Sequence, residues 1–249
     1  MIIIKNNKEI DLMRSAGKIV AETLLLVEEK VRPGITTAEL NRIAEEFITK
    51  HGAKPSFKGL YGFPASLCIS VNEQVVHGIP GGYVLKDGDI ISVDCGAHIN
   101  GFHGDAARTF GVGNISEEAE KLINVTRESF FKGIEYAKVG NRLTDISHGI
   151  QSYVEASGFS VVRDFVGHGI GRVVHEDPEV PNYGQPGRGP KLVEGMALAI
   201  EPMVNVGSYK VKTLSDEWTV VTSDGSLSAH YENTIVILPD GPEILTLIK

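Results

Sequence analysis

Leu85-Lys-Asp-Gly-Asp-Ile-Ile-Ser-Val-Asp94 has an echo in Leu192-Val-Glu-Gly-Met-Ala-Leu-Ala-Ile-Glu201, and that pairing decides how this chain folds. In each stretch a leucine stands three residues before a glycine, and an acid stands six residues after it. The apolar runs in between read as strands near Asp89–Asp94 and Met196–Glu201. Upstream, Gly34 and Gly52 are eighteen positions apart, as are Gly140 and Gly158; Glu39-Leu40 lines up with Asp145-Ile146, and Phe47 with Tyr153. We read an internal duplication: two halves, about residues 1–115 and 116–249, each a helix pair followed by strands, closing on one site in a single α+β domain.

Residues 8–31 carry Ile10, Met13, Ala16, Ile19, Val20 and Leu24 at helical spacing. Arg32-Pro33-Gly34 ends that helix, and Thr36-Thr-Ala-Glu39 opens the next as a capping box. Leu40, Ile43, Ala44 and Phe47 supply its buried face, and Gly52 its stop. Strands are expected near 67–71 and 106–110. Ser116 then caps a helix running to about Ala137, and another spans about Thr144 to Ala156. Further strands are expected near 159–165, 218–222 and 234–238, with Pro178–Pro190 as a loop.

With 249 residues the chain is long enough for one large core. The formal charge of −8, from 24 basic and 32 acidic residues, argues against nonspecific binding to nucleic acid or anionic membrane. Only two cysteines occur, Cys68 and Cys95, with no CxxC pair, so a disulfide framework or thiolate zinc cluster is not expected. Met1-Ile-Ile-Ile4 is too short for a signal or a membrane span, and no other apolar run reaches ~18 residues. Cytoplasm is the expected compartment.

Asp94, Asp105, His168, Glu201 and Glu232 all stand beside apolar runs or glycine-rich turns. Asp94 and Asp105, eleven apart with Gly96, Gly101 and Gly104 nearby, suit a hairpin that offers one carboxylate per strand. An acid that closes an apolar strand needs a partner. Four acids and an imidazole in one place repel unless cations neutralise them, so the set reads as a site for two divalent ions. Oxygen-rich ligation with one imidazole suits Mn, Fe or Co at least as well as Zn, and no His-Glu-x-x-His motif is present. His77 in Val75-Val-His-Gly-Ile-Pro80, His168 in Gly167-His-Gly-Ile-Gly171 and His175 in Val173-Val-His-Glu-Asp-Pro178 all have glycine-rich or apolar settings.

This combination closely resembles type I, bacterial-type methionine aminopeptidase of peptidase family M24, over nearly the whole chain. The resemblance implies a pita-bread fold, two pseudo-symmetric halves around a curved antiparallel sheet. It implies two divalent ions (Co, Mn, Fe, Zn or Ni), with Asp94 on one, His168 and Glu201 on the other, and Asp105 and Glu232 bridging. It further implies that His77 and His175 contact the scissile amide, that Glu201 shuttles a proton, and that a hydroxide held between the metals is the nucleophile. The implied methionine pocket is Leu60, Phe63, Cys68 and Trp218. The implied substrates are N-termini of nascent polypeptides with a small second residue, met at the ribosome by a monomeric enzyme with no membrane or specific nucleic-acid partner.

Three positions depart from the better-known pattern: Leu60 where an aromatic is frequent, Phe57 where a small cysteine occurs, and Val174 where phenylalanine commonly precedes the last histidine. These bear on pocket shape. The sequence shows neither an N-terminal zinc-binding extension nor the long helical insertion of the type II enzymes. Two rival readings share this ground: an Xaa-Pro aminopeptidase or prolidase, which uses the same metal set behind a large N-terminal domain, and a pita-bread binding protein that has lost catalysis. The second would be marked by missing ligands, and none is missing here.

Overall fold

The computed structural model describes residues 1–248. Helix α1 spans Asn7–Lys30 and opens with a complete capping box, Asn6 accepting from Glu9 N–H and Glu9 accepting from Asn6 N–H. Helix α2, Thr37–Lys50, has the Thr36 hydroxyl accepting from Glu39 N–H at 3.1 Å. Its buried face is Leu40, Ala44 and Ile48; Phe47 is only half-buried, against the His51 ring. The stripe i, i+4, i+8 turns Phe47 to its edge.

Helices α3, Glu117–Ile134, and α4, Leu143–Ala156, pair in the second half. Helix α3 stops short of Ala137 because Tyr136 and Ala137 donate to Gly133 and Ile134, three residues back, and the helix tightens into a turn. Two large apolar cores result. One joins α1 and α2 to strands Leu67–Val71 and Ile90–Ile99. The other joins α3 and α4 to Ala197–Ile200 and Asn233–Leu238.

The expected strands at 89–94 and 106–110 are the central parts of Ile90–Ile99 and Phe102–Gly111, ten residues each. Asn100 and Gly101 join them, both at positive φ (54° and 80°), as a two-residue hairpin turn requires. The stretch 159–165 is a strand only at Ser160–Val161, because its partner Met203–Asn205 is itself three residues long. The loop expected from Pro178 begins later, since Glu176–Val180 pairs with Gly167–Gly169. The stretch 218–222 is a strand only from Val220, because Asp216 accepts from the Trp218 and Thr219 N–H groups and holds them in a turn.

Four hydrogen bonds of the first half recur in the second. Gly34 donates to Leu85 O and Leu85 to Ile35 O, as Gly140 does to Leu192 O and Leu192 to Asn141 O. Gly88 donates to Val112 O and Val112 to Asp89 O, as Gly195 does to Ile237 O and Ile237 to Met196 O. Among the described residues no helix is long and apolar enough to cross a membrane.

Candidate metal centre

Alternation along the strands places five ligand-type side chains on one face. Residues directly opposite in an antiparallel pair point the same way, as do residues two apart. Asp94 lies opposite Ala107, two residues from Asp105, so both carboxylates share a face. Glu232 and Ala107 exchange N–H···O bonds at 3.0 and 3.3 Å, which sets Glu232 beside them. The Thr234 hydroxyl clasps the backbone of Asp105, meeting its N–H at 3.0 Å and its carbonyl at 2.9 Å. Across the next ladder Thr234 opposes Ala199 and Asn233 opposes Ile200, so Glu232 and Glu201 stand one position beyond the last pair. His168 also opposes Ala199. The hairpin of the first half and the sheet of the second are thus sewn together at the acids themselves.

The glycines around His168 make this approach possible. A Cβ on Gly167 would lie 2.3 Å from Ala199 O, and one on Gly169 would lie 2.1 Å from Asp177 O. Backbone packing requires both. The His168 Nδ1–H donates to Gly169 O at 2.9 Å, which leaves the Nε2 lone pair facing Glu201 Oε1 at 3.6 Å and Asp105 Oδ2 at 3.9 Å.

Asp105, His168 and Glu232 bring ligand atoms within 4.8 Å of one another, and so do Glu201, His230 and Glu232. Asp94 Oδ1, Asp105 Oδ1 and Glu232 Oε1 are buried with no hydrogen-bond partner. Orphaned carboxylate oxygens turned towards one another fit divalent cations and little else. Burial pushes the Asp94 carboxyl up to about 7, and burial together with the neighbouring acids pushes Asp105, Glu201 and Glu232 well above the usual range. Burial also lowers His168 to about 4 and His230 to about 3, so both are neutral, the form that binds metal.

These directions set a pH dependence for protein stripped of metal. The folded acids hold protons that the unfolded chain, with carboxyl values near 4, has released. Their stabilisation is full below ~4 and is lost as pH rises through about 7 and beyond. The buried histidines act oppositely, but only below their unfolded value of ~6.5. Between pH 7 and 9 the histidines drop out, and the buried Cys68 and Cys95 thiols, pushed up by burial, act in the same direction as the acids. The Tm of chelated protein is expected to fall over that range, and the gain from added Mn²⁺ to grow; a flat or rising Tm by scanning fluorimetry would contradict this.

The acids floor a cleft of about 490 Å³, whose lining includes every expected site residue: Leu60, Phe63, Cys68, His77, Asp94, Asp105, His168, His175, Glu201, Trp218 and Glu232. One wall is apolar. Phe57, Phe63, Ala65, Cys68 and Val174 pack together, joined by Leu60, Ile79 and Trp218, with Trp218 edge-on to Phe63 at 5.1 Å. Cys68 pairs directly with Asp94 across the sheet, so the apolar wall begins where the acids begin. Phe57 fills the space that a side chain at Gly96 would occupy, 2.9 Å from such a Cβ.

His77 adopts a left-handed backbone (φ 59°) and sets its ring edge-on to Phe165 at 5.6 Å. His175 stands edge-on to His168 at 4.5 Å and parallel to Tyr61 at 5.9 Å. The buried Lys5–Glu176 ion pair pins the strand that follows His175. Burial lowers the His77 imidazole to about 4 and lowers His175 as well.

Several lining residues escaped the sequence reading, Tyr61, Asp164, Phe165, Asp177 and Glu179, as did His230, which does not line the cleft but brings a ring nitrogen near Glu201 and Glu232. For His230 a signal existed. It stands two residues before Glu232, close to an acid that the sequence already singles out.

The pattern of metallopeptidase family M24 matches residues 11–239. The chain is 81% identical to a methionine aminopeptidase of Clostridium perfringens, over the whole of both. The chain belongs to the methionine aminopeptidases of family M24. A solved methionine aminopeptidase of Thermotoga maritima superposes with a TM-score of 0.98 at 50% identity, covering 100% of both chains. That of Rickettsia prowazekii also gives 0.98, at 46% identity, covering 99% of this chain and 100% of that one. The enzyme thus has the pita-bread fold. It is a metal-dependent aminopeptidase with a site for two divalent ions.

Proposed function

We propose that the enzyme removes the N-terminal methionine from nascent polypeptides whose second residue is small, working as a monomer in the cytoplasm. In this reading residues 1–249 form one catalytic domain of two pseudo-equivalent halves, a division supported by the recurring glycine–leucine hydrogen bonds. The observation that carries the substrate assignment is the apolar wall meeting the acidic face at the Cys68–Asp94 pair. An unbranched thioether fits an apolar, aromatic pocket, and sulfur–aromatic contact with Phe63 or Trp218 adds to it. The charged α-amino group of the same residue then falls beside carboxylates.

Asp94, Asp105, His168, Glu201 and Glu232 would hold the ions. Bound divalent ions supply Lewis acidity and lower the pKa of water. Everything else falls to the chain. Glu201 accepts a proton at its carboxylate and returns it to the leaving amine. His77, half-buried, and His175, exposed at the cleft, both neutral, hold the scissile amide and the charge that develops on it. Tyr61, stacked on His175, narrows the path for the second residue.

Four peptides test the assignment on Mn²⁺- or Co²⁺-loaded enzyme. Met-Ala-Ser and Met-Gly-Met-Met are expected to be cleaved, with Met-Lys and Ala-Pro peptides left intact. Norleucine in place of methionine is expected to be tolerated, because one methylene in an apolar pocket is worth only ~1–3 kcal/mol. Preferential cleavage of the Ala-Pro peptide would overturn the substrate assignment in favour of a proline-directed relative and leave the metal site standing.

A further inference from the structure

Lys5 is a buried ammonium that the mechanism above does not use, and it lies against the stretch that carries His175. Its Nζ donates to Glu176 Oε2, in a pair whose side chains are 2% and 3% exposed, and to Ile3 O at 2.9 Å. The other oxygen, Glu176 Oε1, accepts from Arg172 N–H at 2.8 Å. One carboxylate thus closes residues 172–176 on themselves and fastens them to Lys5, and His175 is its immediate neighbour in the chain. Residues 171–175 belong to no helix or strand. How far His175 reaches into the cleft therefore depends on what fastens this stretch.

Lys5 is itself fixed. Its N–H donates to Gly195 O at 2.8 Å, and Ile4 bridges to Met196. Two glycines make room for it. A Cβ on Gly195 would lie 2.5 Å from Lys5 O, and one on Gly171 would lie 2.5 Å from Lys5 Cε and 2.7 Å from Glu176 Oε1. Two further ionic contacts join the N-terminal segment to the same stretch, the Met1 amine to Asp177 and Glu9 to Arg172. Each has an exposed member, and exposed pairs, screened by water, contribute little. The buried pair carries the connection. Stability is a poor reason to bury it, because apolar side chains of similar volume often serve as well. What it does supply is one geometry, since each charge must meet the other.

We infer that Lys5 is a positioning residue for His175. Anchored by its backbone at Gly195 and by its ammonium at Glu176, it ties the stretch that bears His175 to the N-terminal segment and so holds the imidazole at the scissile amide. Lys5 itself does not line the cleft. The inference rests on the role proposed above for His175 and adds a residue outside the reacting groups.

The test uses the full chain loaded with Mn²⁺ and the peptide Met-Ala-Ser, in a cycle that combines Lys5→Met with His175→Ala. Lys5→Met is expected to lower kcat about 10–100-fold, the cost of a misplaced group at the reacting atoms, with KM little changed and two ions bound. On the His175→Ala background it is expected to lower kcat no more than about twofold, because residues that act as a unit do not add. A Lys5 that served only the fold, or the site at large, would lower kcat equally on both backgrounds, and that result overturns the proposal. So does wild-type kcat, or loss of an ion, in Lys5→Met. This substitution leaves Glu176 buried without its cation, which is strongly destabilising. The cycle is therefore repeated with Lys5→Met/Glu176→Gln, which removes both charges together. There again wild-type kcat overturns the proposal, and a loss confined to the background that retains His175 supports it. Failure of the His175 reading looks different: His175→Ala by itself would then keep wild-type kcat, and the proposal would fall with it.

Discussion

Chelation of the purified protein is expected to abolish peptidase activity while leaving its circular dichroism unchanged, and Mn²⁺ or Co²⁺ to restore the activity. The loss is expected to be total because, with the ions gone, nothing supplies the Lewis acidity that lowers the pKa of water at the acids. The fold persists because its apolar cores, one under each helix pair, are built without the ligands. Small thiolate-zinc domains behave otherwise, since metal binding is their folding free energy. Here the acids cost the metal-free fold stability at alkaline pH without being what holds it together. Full activity after exhaustive chelation would refute the dinuclear mechanism.

His77→Ala and His175→Ala are each expected to lower kcat by about 10²–10⁴-fold, the usual range for acid–base and oxyanion contacts, with two ions still bound. Both rings line the cleft, yet neither belongs to the clusters whose ligand atoms converge. Each is held by an aromatic neighbour, His77 by Phe165 and His175 by Tyr61 and His168. Glu232→Ala is expected to do the reverse and lose metal, because its buried carboxylate belongs to both clusters. Metal analysis beside steady-state kinetics separates the two classes. Loss of metal in either histidine variant would make that histidine a ligand.

Much of this was legible in the sequence. Helical spacing located four helices to within a few residues, because an amphipathic stripe, opened in two of them by a Thr36 or Ser116 cap, leaves the backbone few alternatives. The acids at the ends of apolar strands announced a charged site, since an unpaired carboxylate there is too costly to be incidental. The matching Gly88 and Gly195, each six residues before its acid, pointed to the same structural device used twice. Strand ends were less legible. Trp218 and Ser160–Phe165 look equally β-forming by composition, but a strand extends only as far as its partner, and the partner is distant in sequence.

Tertiary structure alone decided three matters. The Glu232–Ala107 and Thr234–Asp105 bonds merge the hairpin of one half with the sheet of the other, a junction between segments more than 120 residues apart. The apolar wall joins Phe57, Phe63 and Cys68 to Val174 and Trp218, from both halves, and only their packing makes a pocket of them. His230 is an ordinary core histidine by its neighbours in sequence and becomes part of the site through where Glu201 comes to rest. The physical reason is common to all three. Periodicity in the sequence fixes which face of a strand a side chain takes, while long-range pairing decides what that face meets.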